Sequence, residues 1–156
     1  MEFADYKIMF HVSTLLPFSA SDPQQVLRKR HIGNDIVTVI FQAAGSSPFD
    51  VTSFRSKYQF VFVVVRKEIG EDEAITYSVT TVRSRDVPAF GPPLPPGNTF
   101  TLADVESGVL RKFLLQKIIN AENASYGAGL VNRLAVRTRL HMLEVSDVIE
   151  EGLVTS

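Results

Sequence analysis

The residues best placed to do chemistry lie in the run Arg28-Lys29-Arg30-His31-Ile32-Gly33-Asn34-Asp35-Ile36-Val37. Four consecutive cationic or imidazole side chains precede a glycine, an amide and a carboxylate. A carboxamide does not titrate near neutral pH, so Asn34 is a poor general base. It offers both a donor and an acceptor, which suits holding a water while donating to a phosphate oxygen. Phosphoryl transfer to water needs chiefly positioning and charge stabilisation. Gly-Asn-Asp is also ordinary turn chemistry after a helix, and spacing alone favours that plainer reading.

Two elements must position Asn34. Asp22-Pro23-Gln24-Gln25 reads as a helix start, with Asp22 as cap, Pro23 at the first helical position and Gln25 closing a capping box. A helix over 23–32 then places Arg28, Lys29, Arg30 and His31 in its last turn, against the negative end of its dipole. Gly33 ends it, because glycine tolerates positive φ. Residues 36–42 follow as a buried strand.

This decapeptide resembles the signature of the Rap GTPase-activating protein (RapGAP) domain. Further blocks carry the same resemblance in the family's order: Ile8 to Pro17 as the preceding strand, Arg85-Asp86-Val87-Pro88-Ala89-Phe90-Gly91-Pro92 as the long loop, and Ile119 to Ala124 and Arg137-Thr138-Arg139 as two C-terminal helices. Together they span about residues 6–145, and the Phe-Gly-Pro-Pro block leans toward the Rap-directed, signal-induced-proliferation-associated subgroup. The resemblance implies a GTPase activator, not an enzyme on its own, that docks on a GTP-bound Rap-type small GTPase. Asn34 then enters the nucleotide site in trans to position the attacking water, and no arginine finger is implied. Arg30 and His31 would hold the turn and touch the partner, Arg28 and Lys29 would steer it, and Arg137 and Arg139 would support the contact. No cofactor belongs to this chain; GTP and magnesium belong to the partner. The family's domain normally carries glycine-rich, aspartate-containing sequence upstream of Phe10-His11-Val12, so the chain is expected to lack the N-terminal part of that domain. The alternatives are a non-catalytic small-GTPase-binding module, or an activator of Rheb or Ral.

Composition sets wider bounds. The 156 residues fit one domain, burying roughly 68–70% of the unfolded chain's surface. A net charge of −1 gives no global signal for nucleic acid. The absence of cysteine excludes disulfides, thiol catalysis and cysteine zinc sites. The longest apolar run, Phe60 to Val65, is too short to span a bilayer, and no signal-peptide pattern opens the chain, so a cytoplasmic protein is expected. There is no P-loop, nucleophile elbow or H-E-x-x-H motif. His11, His31 and His141 lack metal-ligand spacing.

Tyr6–Leu16 alternates as a half-buried strand, with His11 on its polar face. Residues 43–50 form a loop, and 51–57 a short helix or turn. Residues 58–66 form a central strand buried on both faces, 67–73 an exposed turn, and 74–82 a second strand completing an antiparallel hairpin. Residues 83–100 hold five of the eight prolines. Pro92 to Pro96 offers a polyproline II ligand for an SH3-type module; the preferred reading is a stiff connector packed through Phe90 and Leu94. Thr101-Leu102-Ala103-Asp104 starts a helix. The main helix is expected over 106–126, with Leu110, Phe113, Leu114, Ile118 and Ala121 on one face, and a second over 130–145. The pattern predicts an α/β (or α+β) domain: one mixed β-sheet covered by helices, the asparagine at a helix-to-strand junction.

Overall fold

The β-branched run Val61-Phe62-Val63-Val64-Val65 is the centre of the molecule, and all five residues are buried. In the computed structural model, which describes residues 1–53, 56–130 and 132–133, it belongs to a four-stranded sheet. Numbered in chain order after a small N-terminal hairpin, β1 (Glu2–Phe3) and β2 (Tyr6–Lys7), the sheet strands are β3 (Val37–Gln42), β4 (Val61–Ile69), β5 (Ile75–Arg83) and β6 (Thr99–Thr101). Their order is β3-β4-β5-β6. β3 runs parallel to β4, pairing Val37 with Val61. The β4–β5 and β5–β6 pairs are antiparallel. The mixed sheet and the hairpin are as expected, with β4 continuing to Ile69 so that only 70–74 turn.

One face of the sheet packs on helix α3 (Val109–Gly127). Val61, Val63, Val65 and Val79 meet Phe100, Leu110, Leu115, Ile118, Ala121 and Leu130 in one core. On the other face of β4 lies the 43–50 loop. Phe49 lies against Phe62 with ring centroids 5.5 Å apart, and Arg66 Nη2 donates to the Ser46 carbonyl at 2.8 Å.

The helix start expected at Thr101 is present, and the main helix begins at Val109 rather than near residue 106. Thr101 caps α2 (Leu102–Glu106) in a full capping box with Asp104. Gly108, at φ 79°, then turns the chain into α3. Only glycine adopts that angle without a side-chain penalty, so Gly108 separates the helices.

The predicted strand over 6–16 is overturned beyond Lys7. Met1 and Ile8 exchange backbone hydrogen bonds and close the hairpin. From there the chain is irregular and turns at 13–15, where Leu15 and Leu16 N–H groups donate to the Val12 carbonyl. Alternating apolar residues mark an extended, half-buried chain, but a strand also needs a neighbouring ladder, and none is present among the described residues.

The proline loop is a packed connector. Phe90 and Leu94 sit against the core. Lys117 is buried on α3, and its ammonium donates to the Phe90 and Pro92 carbonyls at 3.2 and 2.8 Å while lying 4.8 Å from the centroid of the Phe90 ring. Asn120 Nδ2 adds a bond to the Gly91 carbonyl. Pro96 already begins a 3-10 turn over Pro96–Asn98. Residues 92–96 therefore form no free polyproline helix, and the SH3-type contact has no support. Arg137, Arg139, His141 and nearly all of the helix expected over 130–145 lie outside the described residues.

Candidate functional site

Asn34 stands where helix α1 (Val26–Gly33) ends and β3 begins. An eight-residue helix is marginal by itself, and no residue of α1 is buried, so polar contacts at its ends hold it. The helix starts one turn later than expected: Gln25, in a left-handed conformation, is the N-cap rather than Asp22, no capping box forms, and Pro23 lies ahead of the helix. The Asp22 carboxylate nevertheless accepts from the Val26 N–H at 2.7 Å. Arg28 donates through Nε to the Ser13 carbonyl at 3.1 Å and also through Nη2. Its guanidinium thus ties the 8–18 arm to α1.

The turn itself departs from expectation. Gly33 is the last helical residue and carries no positive φ; Asn34 follows at φ −98°, ψ −5°, its N–H directed at the Ile32 carbonyl. The chain leaves the helix through a right-handed turn and runs straight into β3. A Cβ built at Gly33 would meet no atom within 4 Å. Side chains from the segment before β4 grip the turn from below: Ser56 Oγ donates to the Gly33 carbonyl, and Gln59 Nε2 reaches the Ile32 carbonyl at 3.4 Å and Thr38 Oγ1 at 2.8 Å.

The Asn34 side chain is exposed and makes no hydrogen bond to a described residue. Lys29 and Arg30 are likewise exposed, with no ion pair among the described residues, so this end of the domain presents positive charge. His31, exposed in the last turn, lies beside His11 with ring centroids 5.2 Å apart. The sequence places His11 on a solvated strand face; the structure instead half-buries it and bonds its Nδ1 to both Asp35 carboxylate oxygens at 2.9 and 3.0 Å. On α3, partial burial first, and the Asp35 charge second, raise the Glu122 pKa above the ordinary glutamate value. His11, Ser56, Gln59 and Glu122 are therefore site residues that the sequence reading missed. A histidine inside an apolar alternation was the only signal for any of them.

On the 8–18 arm and α1, Met9, Leu15, Phe18 and Leu27 expose apolar side chains. A shallow concavity of about 650 Å3, lined by Ala44, Gly45 and Arg66 to Ile69, lies at the opposite end of β4 from Asn34 and takes no part in this arrangement. Among the described residues no helix is long and apolar enough to cross a membrane, and no cluster of His, Asp or Glu is placed to hold a metal ion.

The Rap/ran-GAP family model matches residues 1–144, and the chain belongs to that family. Signal-induced proliferation-associated 1-like protein 1 of Mus musculus is 50% identical over 151 residues, which is 97% of this chain and 8% of that protein. Signal-induced proliferation-associated protein 1 of Homo sapiens is 47% identical over 142 residues, 91% of this chain and 13% of that protein. This chain thus spans a small part of the curated relatives it matches. Among solved structures, the TSC2 GAP domain superposes with a TM-score of 0.53 at 26% identity, covering 80% of this chain and 60% of that one.

Proposed function

We propose that this domain stimulates GTP hydrolysis by a Rap-type small GTPase, with Asn34 entering the partner's nucleotide site to position the attacking water. The observation that carries the reading is the amide itself. Its donor and acceptor are free of every described residue, while the backbone on either side is held by Ser56, Gln59 and Asp35. An amide fixed in this way is preorganised for a transition state and has little to reorganise. Membership of the Rap/ran-GAP family supports the same reading.

The surrounding residues fit a docking role. Lys29 and Arg30, with His31 next to them in the chain, form a positive rim that steers toward an acidic GTPase surface, and the exposed Leu27 of the same helix adds apolar area. No arginine finger is invoked: Arg28, the basic residue nearest the arm, is engaged with Ser13. GTP and magnesium come with the partner.

Single-turnover hydrolysis by a Rap-type GTPase tests this. The chain should accelerate hydrolysis, and Asn34→Ala should lower the stimulated rate by about a hundredfold or more, as loss of one preorganised transition-state contact does, with docking nearly unchanged. Full stimulation by Asn34→Ala would overturn the assignment. Binding without acceleration by the wild-type chain would instead favour an interaction module, which the same basic and apolar rim would serve. Parallel assays with Rheb and Ral decide the partner.

A further inference from the structure

We propose that His11 is a positioning residue for Asn34, acting through the carboxylate of Asp35; the catalytic part of this inference rests on the reading above. Asp35 follows Asn34 directly, so fixing the Asp35 side chain fixes the peptide on which the amide stands. The backbone does this weakly. Asp35 N–H reaches the Ile32 carbonyl only at 3.3 Å, and Gln59 reaches the same carbonyl at 3.4 Å. The contacts from His11 Nδ1, at 2.9 and 3.0 Å, are shorter, and their acceptor is charged. They also join segments 24 residues apart, tying the arm to the turn where no strand pairing does so.

The surroundings favour the His11 contact. The Asp35 charge disfavours ionisation of Glu122 on α3, so an ionised Glu122 repels Asp35 and does not compete with His11 for it. From α1, the His31 ring lies against His11 at an interplanar angle of 50° and limits its swing. Without His11, Asp35 would have no side-chain donor among the described residues, and the turn would rest on Ser56 and Gln59 alone.

Hydrogen–deuterium exchange on the chain alone tests the positioning independently of any GTPase. In His11→Ala, the Asn34 and Asp35 amides should exchange about ten- to a hundredfold faster, the range expected for loss of a hydrogen bond to a charged group, while β4 and β5 keep their protection. His11→Asn should restore slow exchange, because its amide nitrogen occupies nearly the position of Nδ1 and donates to Asp35. Unchanged exchange at the turn in His11→Ala would overturn the proposal. Should that variant not fold, Asp35→Asn weakens the same contact with little change in bulk, and an unaltered turn there overturns it equally.

With a responsive GTPase, His11→Ala should lower the maximal stimulated rate while leaving the half-saturating concentration of activator in place, and His11→Asn should recover the rate. An unchanged maximal rate in His11→Ala also overturns the proposal. A wild-type chain that stimulates no GTPase would count against the functional reading, and the exchange result would still decide whether His11 holds the turn.

Discussion

Ile118 on α3 keeps 7% of its surface in water, whereas Leu27 on α1 keeps 66%. Both are aliphatic residues on helices, yet they belong to halves of the molecule held in different ways. The sheet and α3 share a core of valine, leucine and isoleucine, and burial of that apolar surface is what stabilises them. No residue of α1 is buried, and its apolar contribution to the arm is slight. The arm and α1 are joined by Asp22 on Val26, Arg28 on Ser13, His11 on Asp35, and Ser56 and Gln59 on the turn. Hydrophobic burial is non-directional, so it makes a platform without fixing one amide in space. Hydrogen bonds contribute less stability but do fix direction. In this domain the platform is greasy, and the functional turn is pinned by polar contacts and left facing solvent.

The sharpest way to break that comparison is to truncate one residue in each half. Ile118→Ala should cost about 2–5 kcal/mol of unfolding free energy, the range for emptying a packed site. Leu27→Ala should fall within about 0.5 kcal/mol of wild type, as an exposed site does. Urea unfolding followed by circular dichroism measures both, and comparable losses would show that α1 packs more tightly than its exposure implies.

A smaller effect is expected where a polar contact supports the core half. Lys117→Met leaves the Phe90 and Pro92 carbonyls without their ammonium donor, at a cost of about 1–3 kcal/mol. The loss should appear with faster hydrogen exchange confined to the 88–95 connector and its neighbours. Burial already lowers the pKa of this lysine, so part of the cost is offset when the charge is removed, and a variant as stable as wild type would mean that the two terms cancel.

The smallest effect lies where the halves meet. The pKa of Glu122 is raised in the folded protein, above the ordinary value of 4.5. The native state therefore binds the proton more tightly than the unfolded chain. The associated stability is fully present below about pH 4.5 and is lost as pH rises through the folded value. Glu122→Gln removes that dependence. Relative to wild type, the variant should gain stability between acidic and neutral pH, and the gain should vanish below pH 4.5. Because Glu122 is only partly withdrawn from water, the gain is small. Paired urea titrations at pH 4 and pH 7 that show the same difference between variant and wild type would contradict the assignment.

These two halves were not equally legible from the amino-acid sequence. Residues 36–42, 58–66 and 74–82 announce strands because β-branched and aromatic side chains crowd together, and the observed β3, β4 and β5 begin within three residues of each expectation. Thr101 and Asp104 stand at capping-box spacing and form one. The helix break at Gly108 was written in a single residue and is easily passed over between two apolar stretches. Along the arm, the period-two pattern of 6–16 reports which side chains approach apolar surroundings and is silent on whether a partner strand exists. The His11–Asp35 contact crosses 24 residues, with no spacing rule to disclose it. Asn34 became conspicuous through its resemblance to a family signature, and its exposure could be read only from the fold.

The edge position of β3 bears on how the domain opens. β3 has one ladder, its parallel pairing with β4, and residues 43–60 must loop round to close it. The β4–β5 pair is an antiparallel hairpin closed by a short turn, so it loses less chain entropy on forming. Detaching β3 breaks a single set of strand bonds and leaves that hairpin whole, whereas detaching β4 dismantles the sheet. Partial unfolding of this kind draws on the least-bonded elements first. Asn34 is anchored at the mouth of an edge strand held by one ladder, so local opening of β3, which needs no unfolding of the β4–β5 hairpin, sets a limit on the time the amide spends in place.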